Sequence, residues 1–388
     1  MKIHRVSPGE TVFSIAREYS VPPTKIIENN GLLNPERLSV GKELLILTPT
    51  RTYTARGSDT LHSIASRFGV DVSDIIAKNP SLQGGDSIYP GQILTIKSDT
   101  PPYSIAFAHG YLYQGCPYEK LISLLPYLTY VSIFAGKVVG DDVKLLFDDR
   151  KYVKAIRDAG KIPLLEIYIE NGNLPSDNAL RDTAILLAKA RGYGGITLTV
   201  NNVSDYEEYS KFLLDFKREL IEYDLLLFAE LDKNSNGKIK ECYDGIILSY
   251  GKAFMENPPS FDEGEKKIFT DFSDEFESSG AYIELCPFAF SKDEVIGYEE
   301  AMKLAYSAKS EISFDENTLL CSFECNKYRS GKREPAKFVF ESLENTKAKL
   351  ELVSELGFMG ISIDIMRCPI SYLLMFNSMF RCGPCPLY

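Results

Sequence analysis

Six carboxylates in this chain, Glu166, Glu170, Glu230, Asp232, Glu284 and Asp364, close or follow short apolar runs. Groups placed in this way can give or take a proton, or orient a substrate, when two of them share a pocket. No pair is marked by its spacing as an acid with an orienter, and each alone reads as a solvated or ion-paired side chain. The eight cysteines offer a second chemistry. Cys321-x-x-x-Cys325 and Cys382-Gly-Pro-Cys385 have the short spacing of a redox pair or of half a zinc site. Neither has a second pair at zinc-finger spacing, and His4, His62 and His109 lie far from both in sequence. We therefore expect no metal and no cofactor, and read these cysteines as unpaired or tail thiols, with cross-linking as the alternative. The third pattern is the run Gly194-Gly195-Ile196-Thr197-Leu198-Thr199-Val200-Asn201. As a strand it sends Ile196, Leu198 and Val200 to one face and Thr197, Thr199 and Asn201 to the other.

These groups need a scaffold, and the composition supplies one. With 388 residues the chain is long enough for two or three domains. Its 44% hydrophobic and 25% charged residues are globular fractions, which argues against wholesale disorder. A net charge of −11 makes nucleic acid and anionic membrane surfaces poor partners, because phosphate binding runs on Lys and Arg. No apolar run is long enough to span a bilayer. Met1-Lys2-Ile3-His4 leads straight into an amphipathic segment, so we expect synthesis in the cytoplasm without a signal peptide.

The first hundred residues repeat. Gly9-Glu10-Thr11-Val12-Phe13-Ser14-Ile15-Ala16 aligns with Ser58-Asp59-Thr60-Leu61-His62-Ser63-Ile64-Ala65. Ile26-Ile27 matches Ile75-Ile76, Asn30 matches Asn79, and Val40-Gly41-Lys42 matches Pro90-Gly91-Gln92. Each unit opens on a strand (Ile3 to Val6; Thr52 to Ala55). Thr11 or Thr60 then stands at an N-cap ahead of an apolar face. A second helix carries the Ile pair and stops at Asn30-Gly31 or Asn79-Pro80, and a last strand closes the unit (Leu44 to Leu47; Ile93 to Ile96).

In this order, and twice over, the motifs resemble the LysM module. The resemblance implies a shallow groove for glycans containing N-acetylglucosamine, peptidoglycan foremost. Carried onto this sequence, the groove walls are Gly9, Glu10, Thr11 and Val12 with Asn30, Gly31, Leu32 and Leu33. In the second unit they are Ser58, Asp59, Thr60 and Leu61 with Asn79, Pro80, Ser81 and Leu82. Backbone N–H and C=O groups there suit N-acetyl amides, and Leu and Val side chains suit sugar faces. The same Thr and Asn residues also serve as caps and turns. Each polar contact is worth about 1 kcal/mol net, so one module binds weakly and two linked modules gain by effective concentration.

A polar, proline-bearing linker at 98–103 ends the repeats. Apolar strands then alternate with amphipathic helices. The strands are Ser104 to Ala108, Tyr130 to Phe134, Ile162 to Ile167, Gly195 to Val200, Leu225 to Leu231, Gly245 to Ser249, Ala281 to Leu285 and Gly360 to Ile365. The helices include Tyr152 to Ala159, Ala179 to Ala190, Tyr206 to Glu222 and Leu343 to Leu356. Eight such units point to an α/β chain with a (β/α)8 TIM barrel. The long stretch before the last strand holds an α+β insertion, about 291–342. The expected domains are thus 1–49 and 50–98, two small βααβ LysM units, and 103–388, the barrel.

Gly192-Tyr193-Gly194-Gly195-Ile196, Leu248-Ser249-Tyr250 and the block from Phe338 to Ser362 make the barrel resemble family 18 glycoside hydrolases. The nearest branch is the LysM-tethered N-acetylglucosaminidases that degrade bacterial spore cortex. In that family the fourth strand reads D-G-x-D-x-D-x-E. The Glu is the general acid, and the Asp before it orients the substrate's N-acetyl group, which attacks the anomeric carbon. At those positions this chain has Thr197, Thr199 and Asn201, so no catalytic set is intact. An amide has no proton to give, and general acid catalysis contributes about 10²–10⁴-fold. The family's eighth-strand Trp is absent, Asp364 stands in its place, and the chain contains no Trp. Tyr250 survives at the end of the sixth strand as a pocket residue, while the Asp that follows it in the family is Gly251.

We therefore expect a glycan-docking protein with a degenerate, inactive glycosidase barrel, associated with the spore cortex or coat. Its partners are peptidoglycan or another N-acetylglucosamine glycan, with spore coat proteins as further candidates. Two alternatives stand beside it: an active cortex-lytic N-acetylglucosaminidase with a relocated acid, and a coat protein cross-linked through its cysteines.

Overall fold

The computed structural model describes residues 1–98, 101, 103–139, 142–169, 179–200, 203, 205–232, 242–249, 263–276, 280–329 and 332–382. In the first repeat, strand Lys2–Arg5 pairs antiparallel with Glu43–Ile46, enclosing helices Val12–Tyr19 and Pro23–Asn29. In the second, Arg51–Thr54 pairs with Ile93–Lys97 around Leu61–Phe68 and Val72–Ala77. Both first helices start on a capping box with Ser at the third position. Thr11 Oγ1 accepts from the Ser14 N–H at 3.1 Å, and Ser14 Oγ accepts from the Thr11 N–H at 2.9 Å. Thr60 and Ser63 repeat this at 3.1 and 3.0 Å.

The helix-ending asparagines do more than stop a helix. Buried Asn79 donates from Nδ2 to the Ile75 and Thr95 carbonyls at 2.7 and 2.9 Å. Its Oδ1 accepts from the Thr95 N–H at 2.8 Å and from Lys25 Nζ of the other repeat at 2.7 Å. Asn30 makes the equivalent bonds to Ile26 and Leu45. Each amide stitches the second helix to the closing strand, and Asn79 also ties the two repeats together.

Eight parallel strands follow. They are Ile105–Tyr113, Tyr130–Val139, Ile162–Ile169, Gly195–Val200, Leu226–Asp232, Gly245–Ser249, Ala281–Glu284 and Gly360–Asp364. They pair in chain order, and the first pairs with both the eighth and the second, so the barrel is closed. The first two strands run past the apolar segments that mark them in the sequence. His109 and Tyr111 interrupt the apolar pattern, yet both lie on strands paired on either side. Helices Arg150–Asp158, Ala179–Arg191, Tyr206–Ile221, Glu263–Phe276 and Leu343–Glu355 cover the outside. Before the eighth strand comes a five-stranded antiparallel sheet, strands Phe288–Ser291, Glu294–Gly297, Ser313–Asp315, Leu320–Arg329 and Lys332–Glu341, with helix Tyr298–Ala308 packed on it. Its core includes Phe323, Phe338 and Phe340.

The repeats are docked on the barrel through buried polar contacts. Glu43, 5% exposed, accepts from Arg5 Nη2 at 2.8 Å and Nε at 3.2 Å through Oε1. Its Oε2 accepts from the backbone N–H of Leu343, the first residue of a barrel helix, at 2.5 Å. Burial pushes the Glu43 pKa up, while Arg5 and the Leu343 N–H pull it back down. Two turns approach so closely that only glycine fits. A Cβ on Gly41 (φ +81°) would lie 1.8 Å from the Ile312 carbonyl oxygen, and one on Gly84 (φ +74°) would lie 2.5 Å from that of Ile122.

Replacing Asn79 by Ala strands the Thr95 N–H and two carbonyls in a buried site and leaves Lys25 Nζ with Glu28 alone. We expect a loss of at least about 2 kcal/mol from the second repeat, read as faster hydrogen exchange at the Thr95 amide in the full chain. Unchanged protection would contradict the role given to this amide.

Candidate functional site

Alternate residues of each barrel strand face the pore, and they sort by height. At the N-terminal end lies an apolar plug of Phe107, Tyr130, Leu164, Phe228, Ile247 and Tyr282. Above it runs a buried neutral chain. His109 Nδ1 and Nε2 lie 2.8 Å from Ser362 Oγ and Ser132 Oγ, and Ser132 Oγ lies 2.6 Å from Thr197 Oγ1. Burial pushes the His109 pKa down to about 3, so the ring is neutral and one nitrogen donates while the other accepts. Thr197 thus reaches the pore, as the alternation requires, with its hydroxyl engaged by Ser132.

The top layer, at the C-terminal strand ends, gathers carboxylates from four strands: Glu166, Glu230, Glu284 and Asp364. Chemistry in this fold sits at that end. Thr199 Oγ1 lies 3.2 Å from Glu166 Oε1 and 3.1 Å from Glu230 Oε2. A hydroxyl has one proton. Both contacts are attractive only if one carboxyl keeps its own proton and donates it to Thr199. Burial, and then the charge of Glu230, push the Glu166 pKa well above the ordinary carboxylate value, so the pair holds a proton beyond the usual carboxylate range. Glu284 accepts from Tyr111 Oη at 2.6 Å. Asp364 is held by Arg367 Nη1 at 2.8 Å and by the Met366 N–H at 2.8 Å, and burial raises its pKa to about 6.

This layer corrects one expectation. Glu166 and Glu284 are not solvated but buried, and both hydrogen-bond to pore hydroxyls. The cluster is invisible in the sequence because its members are up to two hundred residues apart. Asp364 is ion-paired as one of the two options foresaw. Asn201, Tyr250, Gly251 and Glu170 lie outside the described residues, as does Cys385.

The expected groove walls divide by burial. Gly9, Thr11, Gly31, Leu33, Ser58, Thr60 and Ser81 are exposed, with Leu33 at 72%. Val12, Leu32, Leu61 and Leu82 are buried in the module cores, so they have no face to offer a sugar. The Asn79 amide is consumed internally. Glu10 and Asp59 close their own turns, accepting from the Ser7 and Arg56 N–H groups at 2.7 and 2.8 Å. An aromatic that the sequence reading passed over, Phe13, is 69% exposed beside the Gly9–Val12 wall. Its position next to Val12, one step off the apolar face, was the available signal.

Asn30, Gly31, Leu32 and Leu33 of the first repeat and Pro80 and Ser81 of the second line one cleft of about 390 Å³. Its other side is formed by barrel helix Tyr118–Leu124 and insertion helix Tyr298–Ala308.

No described cysteine outside the tail forms a disulfide, and Cys116, Cys242, Cys286, Cys321, Cys325 and Cys368 are all buried. Burial raises the thiol pKa to about 11 at Cys116 and about 12 at Cys368, which keeps the nucleophilic thiolate scarce. Among the described residues no group of three or more His, Cys, Asp or Glu is arranged to hold a metal, and no helix is long and apolar enough to cross a membrane.

Residues 4–47 and 53–97 each match the LysM domain family, so the chain carries two LysM domains. The cortical fragment-lytic enzyme of Bacillus anthracis is 28% identical over 294 residues, covering 67% of this chain and 68% of that one. YdhD of Bacillus subtilis, provisionally named a sporulation-specific glycosylase, is 27% identical over 237 residues and covers 57% of this chain. The chain spans little more than half of that relative, 56% of its length. The crystal structure of the Bacillus cereus spore cortex-lytic enzyme SleL superposes with a TM-score of 0.75 at 21% identity, over 99% of both chains. At that identity the likeness speaks for the fold: two LysM domains before a closed (β/α)8 barrel.

A proton that folded Glu166 keeps and the unfolded chain releases makes stability fall as pH rises from about 4.5 toward the raised folded value. Glu166→Gln removes that loss while keeping a donor for Thr199. The melting temperature of the variant should gain on that of the parent between pH 5 and pH 9. A gap that stays constant across this range would contradict the protonated carboxyl.

Proposed function

We propose that this protein docks on peptidoglycan at the spore cortex or coat through its paired LysM domains, and that its barrel does not hydrolyse glycan by the family 18 route. One observation carries the second half. The fourth strand presents Thr197 and Thr199 to the pore where that route needs carboxylates, and both hydroxyls are bound to neighbouring side chains. The LysM matches and the names of the relatives support the first half. Coat proteins are further partners in this reading. The six buried thiols weigh against cross-linking as the main role.

The Glu166–Thr199–Glu230 contact favours a second reading. A carboxyl that holds its proton near neutral pH, at the catalytic end of a barrel, has what a general acid needs. In that case hydrolysis uses a relocated acid on the third strand.

Purified protein should co-sediment with insoluble peptidoglycan and release no new reducing ends from cortex fragments or chitooligosaccharides. Failure to sediment above an albumin control overturns the docking proposal. Turnover overturns the non-hydrolytic proposal, and its loss in Glu166→Gln would install the second reading in its place.

A further inference from the structure

The cleft between the LysM domains and the barrel has properties that a lone LysM groove lacks. Equivalent loops of the two repeats, 30–33 and 79–82, converge on it, although they are separated by a whole module in sequence. The barrel and the insertion supply the facing wall. Its volume of about 390 Å³ lies in the range of small-ligand clefts. Two apolar surfaces suit the C–H face of a sugar: exposed Leu33 and the ring of Tyr306, 38% exposed on the insertion helix. The exposed backbone at Gly31 and the hydroxyl of Ser81 supply polar partners.

Charge adds a second, independent constraint. Four cations, Arg37, Lys42, Lys120 and Lys303, line the cleft against two carboxylates, Glu28 and Glu299, on a chain whose net charge is −11. Glu28 is engaged by Lys25, and Glu299 lies 3.8 Å from Lys120. Exposed Arg37 lies beside the Tyr306 ring, 5.4 Å from its centroid, and neither it nor exposed Lys303 forms an ion pair among the described residues. On an acidic chain, two cations with no ion pair among the described residues, set beside a sugar-sized platform, suit an anionic carbohydrate.

We infer that this composite cleft binds a glycan strand carrying carboxylates, and that Arg37 and Lys303 select it over a neutral one. Peptidoglycan has this chemistry, because its muramic acid residues bear lactyl groups and peptides that end in carboxylates. Chitin-type chains of N-acetylglucosamine do not. Leu33 and Tyr306 carry the sugar, Ser81 and the backbone at Gly31 meet its amide and hydroxyl groups, and the two cations meet the carboxylates. The inference rests on the docking reading above and assigns its specificity to residues outside the LysM groove itself. Raised salt weakens this preference, since the cations are exposed.

The test uses the full chain and two soluble probes, a disaccharide-tetrapeptide released from peptidoglycan and chitotetraose, in titration calorimetry. The parent should bind the first more tightly. The double variant Arg37→Gln, Lys303→Gln should lose about tenfold on the peptide-bearing probe, the size expected for two exposed ion pairs, and less than twofold on chitotetraose. Both positions are exposed, so the variant keeps the fold. Equal binding of both probes, unchanged in the variant, overturns this inference and leaves docking standing. A parent that binds neither probe overturns the docking reading and the inference with it.

Discussion

The seat of the first repeat on the barrel centres on one buried carboxylate, Glu43. It ends the closing strand pairing of the first LysM domain, is gripped by Arg5 of the partner strand, and accepts the first backbone N–H of barrel helix Leu343–Glu355. A helix N-terminus carries unsatisfied N–H groups and partial positive charge, so a carboxylate there satisfies both sides at once. A buried charge is tolerated only when its partners are in place, which makes this contact specific. Gly41 and Gly84 then let backbone meet backbone on either side of it. These contacts leave little freedom in how the repeats sit on the barrel. They set the 30–33 and 79–82 loops beside the insertion helix.

The pore shows how one strand period serves two ends. Alternation delivers Thr197 and Thr199 inward, and height decides what each meets. Thr197 joins a neutral hydroxyl and imidazole chain over an aromatic plug, where charge is expensive. One step higher, Thr199 sits between two carboxyls that relieve their repulsion by sharing a proton through it. The fourth strand, Gly195–Val200, carries no carboxylate, while acidic side chains from the third, fifth, seventh and eighth strands crowd the same mouth. The family 18 route, as the sequence resemblance gives it, needs acid and orienter on one strand with period-2 spacing. Here the described acids of the mouth lie on different strands, which supports the non-hydrolytic reading proposed above.

How much of this was legible in the sequence follows from the range of the forces involved. The LysM units were readable because their signals are local: a Thr cap three residues before a Ser, an apolar face at helical spacing, and an Asn that ends the second helix. The barrel strands were readable because they are apolar on both faces. Strand ends were harder where pore-facing polar residues such as His109 and Tyr111 broke the pattern. Burial along the expected groove walls was not legible: Val12 and Leu61 are core, while Phe13 beside Val12 is exposed. Nothing local announces that Glu43 meets Leu343, that Asn79 holds Lys25, or that Glu166 and Glu230 flank Thr199. Each of these joins groups brought together only by the finished fold.

The most direct measurement is a crystal structure of the full chain soaked with a disaccharide-peptide from peptidoglycan. The account predicts sugar density against Leu33 and Tyr306, with a carboxylate near Arg37 and Lys303, and the barrel mouth free of sugar. Density seated instead between Glu166, Glu230 and Asp364, with the cleft empty, would contradict it and would make the barrel the working site.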